Sequence, residues 1–210
     1  MGIKQNIERI KNITDKSGAT LLVVSKYHTE EEILKCYNCG IRCFGENKVQ
    51  DMVAKIEALP KDIEWHLIGH LQKNKVKYII GKTKLIHSLD SVSLAEIISK
   101  KSLEQNVVTH CLVQVNSTGI GDRFGVPYEE LEEFLKSVSA LKGIKIDGLM
   151  GMAPITDNPK PYFEKLKSAF DKFNNVYYQN GVLSMGMSED FEEALACGSN
   201  LVRVGSKIFV

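Results

Sequence analysis

Polar and apolar positions along this chain switch repeatedly between two patterns. Short, β-branched apolar runs alternate with stretches in which apolar residues recur every three to four positions, the signatures of buried strands and amphipathic helices. A helix over residues 3–17 ends at Gly18, and LLVVSK (21–26) is the first strand. TEEEILKCYNCG reads as a helix with a Thr29 cap and an acidic first turn, and IRCFG as the second strand. ENKVQDMVAKIEAL is a helix stopped near Pro60, followed by the strand WHLIG. A Lys-rich helix over 71–80 leads to LIHSL, and SVSLAEIISKKSLEQ leads to THCLVQVN. PYEELEEFLKSVSAL, with Pro127 in its first turn, leads to IKIDGLMG. KPYFEKLKSAFDKFN leads to GVLSMG, and a last helix that starts with Ser188 leads to LVRVG.

Strands alternating with helices imply parallel pairing, and eight such units imply an α/β chain closed into a (β/α)8 TIM barrel. The pattern opens on a helix and closes on a strand, so the N-terminal helix is expected to complete the outer ring. Residues 1–210 are then one domain. A doubly wound open sheet is the competing arrangement.

Composition adds limits rather than a function. The 210 residues are 43% hydrophobic and 25% charged, and 27 Lys and Arg against 26 Asp and Glu give a net charge of +1. No global bias points to nucleic acid or to an anionic membrane. No apolar run approaches the roughly 20 residues of a membrane span, and the amphipathic N-terminus lacks a signal peptide's apolar core. The expected location is the cytoplasm, with neither nucleic acid nor membrane as partner.

The candidate chemistry lies in LSMGMSEDFEEALACGSNLVRVGSKIFV (183–210). Ser184, Gly186 and Ser188 mark one turn, and Gly205 and Ser206 another. Bare backbone N–H groups at such turns make an anion cradle, and in a barrel the loops after strands seven and eight are favoured phosphate sites. Two ordinary loops with a serine cap are the alternative reading. Arg203 lies on the strand between the turns. Lys26 ends strand one, which closes the ring beside strand eight, so these groups are expected to converge.

Other motifs read blandly. Cys36, Cys39 and Cys43 straddle a helix end and a strand with no second Cys/His pair at zinc-site spacing, so they are expected to be packed thiols. His66 and His70 fall on a strand pattern and are expected to be structural or rim residues. Lys73, Lys75, Lys77, Lys82 and Lys84 read as a solvated face. Met150, Met152, Met185 and Met187 are expected to line the barrel mouth, and Trp65 to pack in the core or rim.

The segments VSKYHT (24–29), FGENKVQD (44–51), WHLIGHLQKNK (65–75), IHSLDS (86–91), GLMGMAP (148–154) and the C-terminal stretch, in this order, resemble the pyridoxal phosphate homeostasis proteins. Those are single-domain barrels resembling the N-terminal half of alanine racemases. The resemblance implies pyridoxal 5'-phosphate (PLP) as cofactor, held as an aldimine on Lys26. It implies a phosphate cradle at Ser188, Gly205 and Ser206, Arg203 near the pyridine nitrogen or the phosphate, and Asn47 close to the ring. Ser206 stands where the family often has Thr, Arg123 stands for the more usual Lys, and the family's Gly and Arg-containing tail does not follow the IF pair. The function implied is intracellular vitamin B6 homeostasis by a monomer that is not an enzyme, with PLP-dependent apoenzymes as recipients. A PLP-dependent racemase or related enzyme is the alternative. Racemisation needs a base on each face of the substrate. In the racemases that second base is a tyrosine from a β domain with no counterpart in these residues, and Tyr27 is expected to point away from the mouth.

Overall fold

The computed structural model describes residues 2–117 and 124–210; Arg123 lies outside them. Eight parallel strands pair in chain order: β1 (Thr20–Val24), β2 (Cys43–Glu46), β3 (Glu64–Leu67), β4 (Leu85–Leu89), β5 (Thr109–Gln114), β6 (Ile144–Met150), β7 (Val182–Ser184) and β8 (Leu201–Val204). β8 pairs back onto β1, with Leu22 opposite Arg203, so the sheet is a closed barrel and the open alternative falls. The surrounding helices are α1 (Ile3–Lys16), α2 (Glu30–Asn38), α3 (Val49–Ala58), α4 (Val92–Glu104), α5 (Leu131–Ser139), α6 (Lys160–Phe173) and α7 (Phe191–Ala196).

α1 takes the ring position that the sequence pattern leaves for it. Its Ile7 and Ile10 are buried, and the Asn6 side-chain amide donates to the carbonyls of Ile208 and Val210 at 3.1 and 3.0 Å. The helix is thereby stapled to the segment that follows β8.

Three expected elements differ. The stretch expected as a helix over 71–80 is a 3-10 helix over Lys73–Tyr78. Lys73 and Lys77 are like charges four apart, which disfavour an α-turn, and Val76 is its one buried residue. The turn after Pro127 is likewise 3-10 (Tyr128–Glu130) before α5 begins. The last helix starts at Phe191, not at Ser188, because Asp190 takes the cap position and residues 188–190 form a turn.

The core has two shells. Between strands and helices pack Phe44, Trp65, Ile86, Leu149 and Phe163; the Phe44 and Trp65 rings meet at a tilt of 38° with centroids 5.9 Å apart. Inside the barrel, Leu85, Leu112 and Met150 form a separate small cluster. The methionines therefore do not act as one lining. Met150 is in the lumen, Met185 in the outer shell, and Met152 and Met187 are partly exposed.

Candidate functional site

At the C-terminal ends of the strands, the turns after β7 and β8 meet. The Ser188 hydroxyl accepts from the Gly205 N–H at 3.2 Å, joining one turn to the other. Gly186 (φ +92°) permits the first turn: a side chain there would lie 2.6 Å from the Ala194 Cβ. Among the described residues, the N–H groups of Ser188, Glu189, Ser206 and Lys207 donate to no protein acceptor. Gly205 lies against β1, where an added Cβ would stand 3.0 Å from the Val24 carbonyl. That close approach brings the turn beside the segment carrying Lys26.

Lys26 sits two residues past β1, half-buried. Tyr27 adopts φ +69° and is 82% exposed, so a left-handed turn, rather than the strand alternation expected, directs it outward. A buried tie anchors the Lys26 backbone. Ser25 Oγ donates to Glu46 Oε1 at 2.7 Å, and Lys55 Nζ donates to the same oxygen at 2.7 Å and to the Ser25 carbonyl at 2.9 Å. Glu46 is fully buried, and its other oxygen has no partner among the described residues. Asn47 follows directly, half-buried; an added Cβ at Gly69 would stand 2.2 Å from its carbonyl oxygen. Glycine at 69 is thus what lets the loop after β3 pass Asn47.

Arg203 points into the lumen. Its Nη1 donates to the Ser184 carbonyl (2.9 Å) and Oγ (2.6 Å), and its Nη2 to the Gly151 carbonyl (3.1 Å). Burial lowers its pKa to about 10, against the opposing pull of the Asp190 carboxylate. From Ser184 a polar file crosses the barrel: Ser184 Oγ lies 3.0 Å from His87 Nδ1, and His87 Nε2 lies 2.9 Å from His66 Nδ1. Two proton orderings fit it. If the Ser184 hydroxyl donates to His87, His66 ends the file with an Nε2–H; in the reverse ordering it ends with a bare lone pair.

The alanine racemase N-terminal domain family model matches residues 2–210. The pyridoxal phosphate homeostasis protein of Aquifex aeolicus is 42% identical over 97% of this chain and 93% of its own. The chain belongs to the pyridoxal phosphate homeostasis protein family. A second member, from Helicobacter pylori strain 26695, is 43% identical over 90% of this chain and 86% of its own. Among solved structures, PipY of Synechococcus elongatus with PLP bound superposes with a TM-score of 0.90 at 31% identity, covering 99% of this chain and 100% of its own. Alanine racemase of Corynebacterium glutamicum shares the fold, with a TM-score of 0.75 at 15% identity, over 98% of this chain and 59% of its own.

In this family member Lys26, Ser188, Arg203, Gly205 and Ser206 all lie on β1, β7, β8 or the turns that follow them, and Asn47 lies at the adjoining end of β2. Arg203 is engaged on the β6–β7 side, through the Ser184 and Gly151 carbonyls. His70 is a rim residue, stacked on Phe124 and 3.3 Å from Asp90. His66 is a buried structural residue, as expected, and it shares the lumen with His87, which the sequence pattern leaves unassigned because alternation within LIHSL does not say which face looks inward. Glu46 and Lys55 are equally hidden, because their contact joins a strand end to a helix nine positions on.

The buried histidines give a pH dependence. Desolvation lowers the His66 pKa to about 4 from an ordinary 6.5, and pushes His87 well below its usual value. Between those limits the unfolded chain binds a proton that the folded chain refuses, so stability falls as pH drops through the window. Going from pH 7 to pH 5 is expected to cost about 2 kcal/mol through His66 alone. Urea unfolding at the two pH values measures it; a flat profile would show that water reaches the lumen.

Proposed function

We propose that this chain binds PLP across residues 1–210 as one domain and serves intracellular PLP homeostasis, with Lys26 holding the cofactor as a Schiff base. The observation that carries this reading is the Ser188–Gly205 junction, which sets free N–H donors of two turns beside the β1 end. The donor set suits the cofactor: a phosphate dianion matches backbone N–H groups and hydroxyls, and an aldehyde needs an amine. When bound, the cofactor supplies that aldehyde. Ser188, Gly205 and Ser206 would hold the phosphate, and Asn47 would flank the ring. The Lys26 amine is the group that would meet that aldehyde.

Arg203 supports holding over turnover. Three of the five guanidinium N–H groups are used within the barrel, and the guanidinium can only donate. An arginine donating to the pyridine nitrogen keeps that nitrogen unprotonated, which weakens the ring as an electron sink. The protein then acts as a monomeric reservoir in the cytoplasm, with PLP-dependent apoenzymes as recipients.

The purified protein is expected to be yellow, and borohydride followed by digestion is expected to fix the cofactor on the Lys26 peptide. Label on another lysine overturns the assignment. The same preparation tests the racemase reading: α-proton exchange of alanine in heavy water near 10 per second, abolished by Lys26→Ala, would make the chain an enzyme.

A further inference from the structure

The end of the barrel opposite the cradle carries a second group of chemistry-bearing side chains. Cys43 opens β2, Glu64 opens β3, and His66 follows on β3 with its side chain in the lumen. One ligand atom from each of Cys43, Glu64 and His66 lies within 4.8 Å of the others. Cys43 Sγ is 3.4 Å from Glu64 Oε2, while Glu64 Oε1 is 3.0 Å from Lys84 Nζ. His66 is only 5% exposed, and its Nε2 has no hydrogen-bond partner among the described residues. A buried ring nitrogen without a partner, on an imidazole beside a thiol and a carboxylate, calls for an occupant, because such groups are costly to leave unpaired.

We propose that Cys43 Sγ, Glu64 Oε2 and His66 Nε2 form a binding site for a transition-metal dication, zinc by ligand preference, at the N-terminal mouth of the barrel. One thiolate, one imidazole and one carboxylate are the mixed set that a borderline metal takes, with solvent as a fourth ligand. Metal–ligand lengths of about 2.0–2.3 Å put tetrahedral ligands roughly 3.5 Å apart, so the observed spacing closes by small side-chain rotations. The charges balance: thiolate and carboxylate neutralise the dication, and Lys84 keeps the outer Glu64 oxygen. On binding, the Cys43 S–H bond breaks, the sulfur's electron pair goes to the metal and the proton leaves to solvent.

The polar file orients the third ligand. His66 offers Nε2 as a lone pair only when its Nδ1 carries the proton and donates to His87 Nε2, at 2.9 Å. His87 then donates through Nδ1 to Ser184 Oγ, at 3.0 Å. This is the outer-sphere bonding that fixes a metal-bound imidazole. The metal therefore selects the second of the two proton orderings.

Cobalt(II) titration of the full chain, with and without PLP, tests the site. The expected result is one cobalt per chain, with strong visible bands of a tetrahedral ion and a near-ultraviolet thiolate charge-transfer band; added zinc displaces both. Cys43→Ser is expected to remove the charge-transfer band and weaken binding more than about tenfold, and Glu64→Gln to weaken it similarly. Cys36→Ser should change neither. Because Cys43 and Glu64 are partly exposed, their variants test the site even where a His66 variant fails to fold. Nitrogen NMR of the zinc-bound protein should show the His66 proton on Nδ1. Absence of stoichiometric cobalt, a charge-transfer band that survives Cys43→Ser, or a zinc-bound His66 that carries its proton on Nε2 overturns the proposal.

Discussion

Lys55→Met is expected to destabilise the protein by about 3–5 kcal/mol, the cost of stranding a buried charge whose partner is removed. Glu46 is wholly buried and the Lys55 side chain only 12% exposed, so solvent screens the pair little. Without Lys55 the carboxylate keeps the Ser25 hydroxyl alone, with its second oxygen already lacking a partner among the described residues. The double variant Lys55→Met/Glu46→Gln should recover more than half of the loss, because it removes the buried charge as well as the cation. Urea unfolding of the wild type and the two variants at pH 7 measures both effects. A single variant no less stable than the double would mean that the ion pair is not what holds the β1 and β2 ends together. PLP binding should also weaken in the single variant, since Lys55 holds the carbonyl of the peptide leading into Lys26.

Gly205→Val is expected to abolish most of the preference for PLP over pyridoxal. In the proposed cradle, two charge-assisted hydrogen bonds to the phosphate, at about 1.5 kcal/mol or more each, would give the wild type a preference of roughly 100-fold. A side chain at 205 begins 3.0 Å from the Val24 carbonyl and 3.2 Å from its Cβ, so it pushes the two strand ends apart and moves the donors. Fluorescence titration with each ligand provides the comparison. If the wild type bound pyridoxal and its phosphate equally, the two turns would not be an anion site.

Much of this was legible in the chain because parallel barrels repeat one simple unit. LLVVSK and LIHSL stand out as apolar runs between helical periods, and the count of eight alone implies closure. Gly205 and Ser206 were legible as turn residues for the same reason, and the structure places them directly after β8. The start of the last helix was missed because Ser188 is as good a cap as Asp190 in isolation, and only the contact with Gly205 draws its hydroxyl away. The Lys-rich segment has helical spacing, yet its charges repel and it buries one residue. Cys43, Glu64 and His66 are ordinary residues on two neighbouring strands, and register alone makes them neighbours.

The solid lumen has a kinetic consequence. Leu22, His66, His87, Leu112, Met150 and Arg203 are all buried and fill the barrel from within. A cofactor seated on the rim therefore enters and departs by one door. A recipient that collects it directly must dock over the same opening through which fresh PLP arrives. Under the proposed delivery role, arrival of fresh PLP and hand-over of bound PLP would therefore exclude one another at that opening.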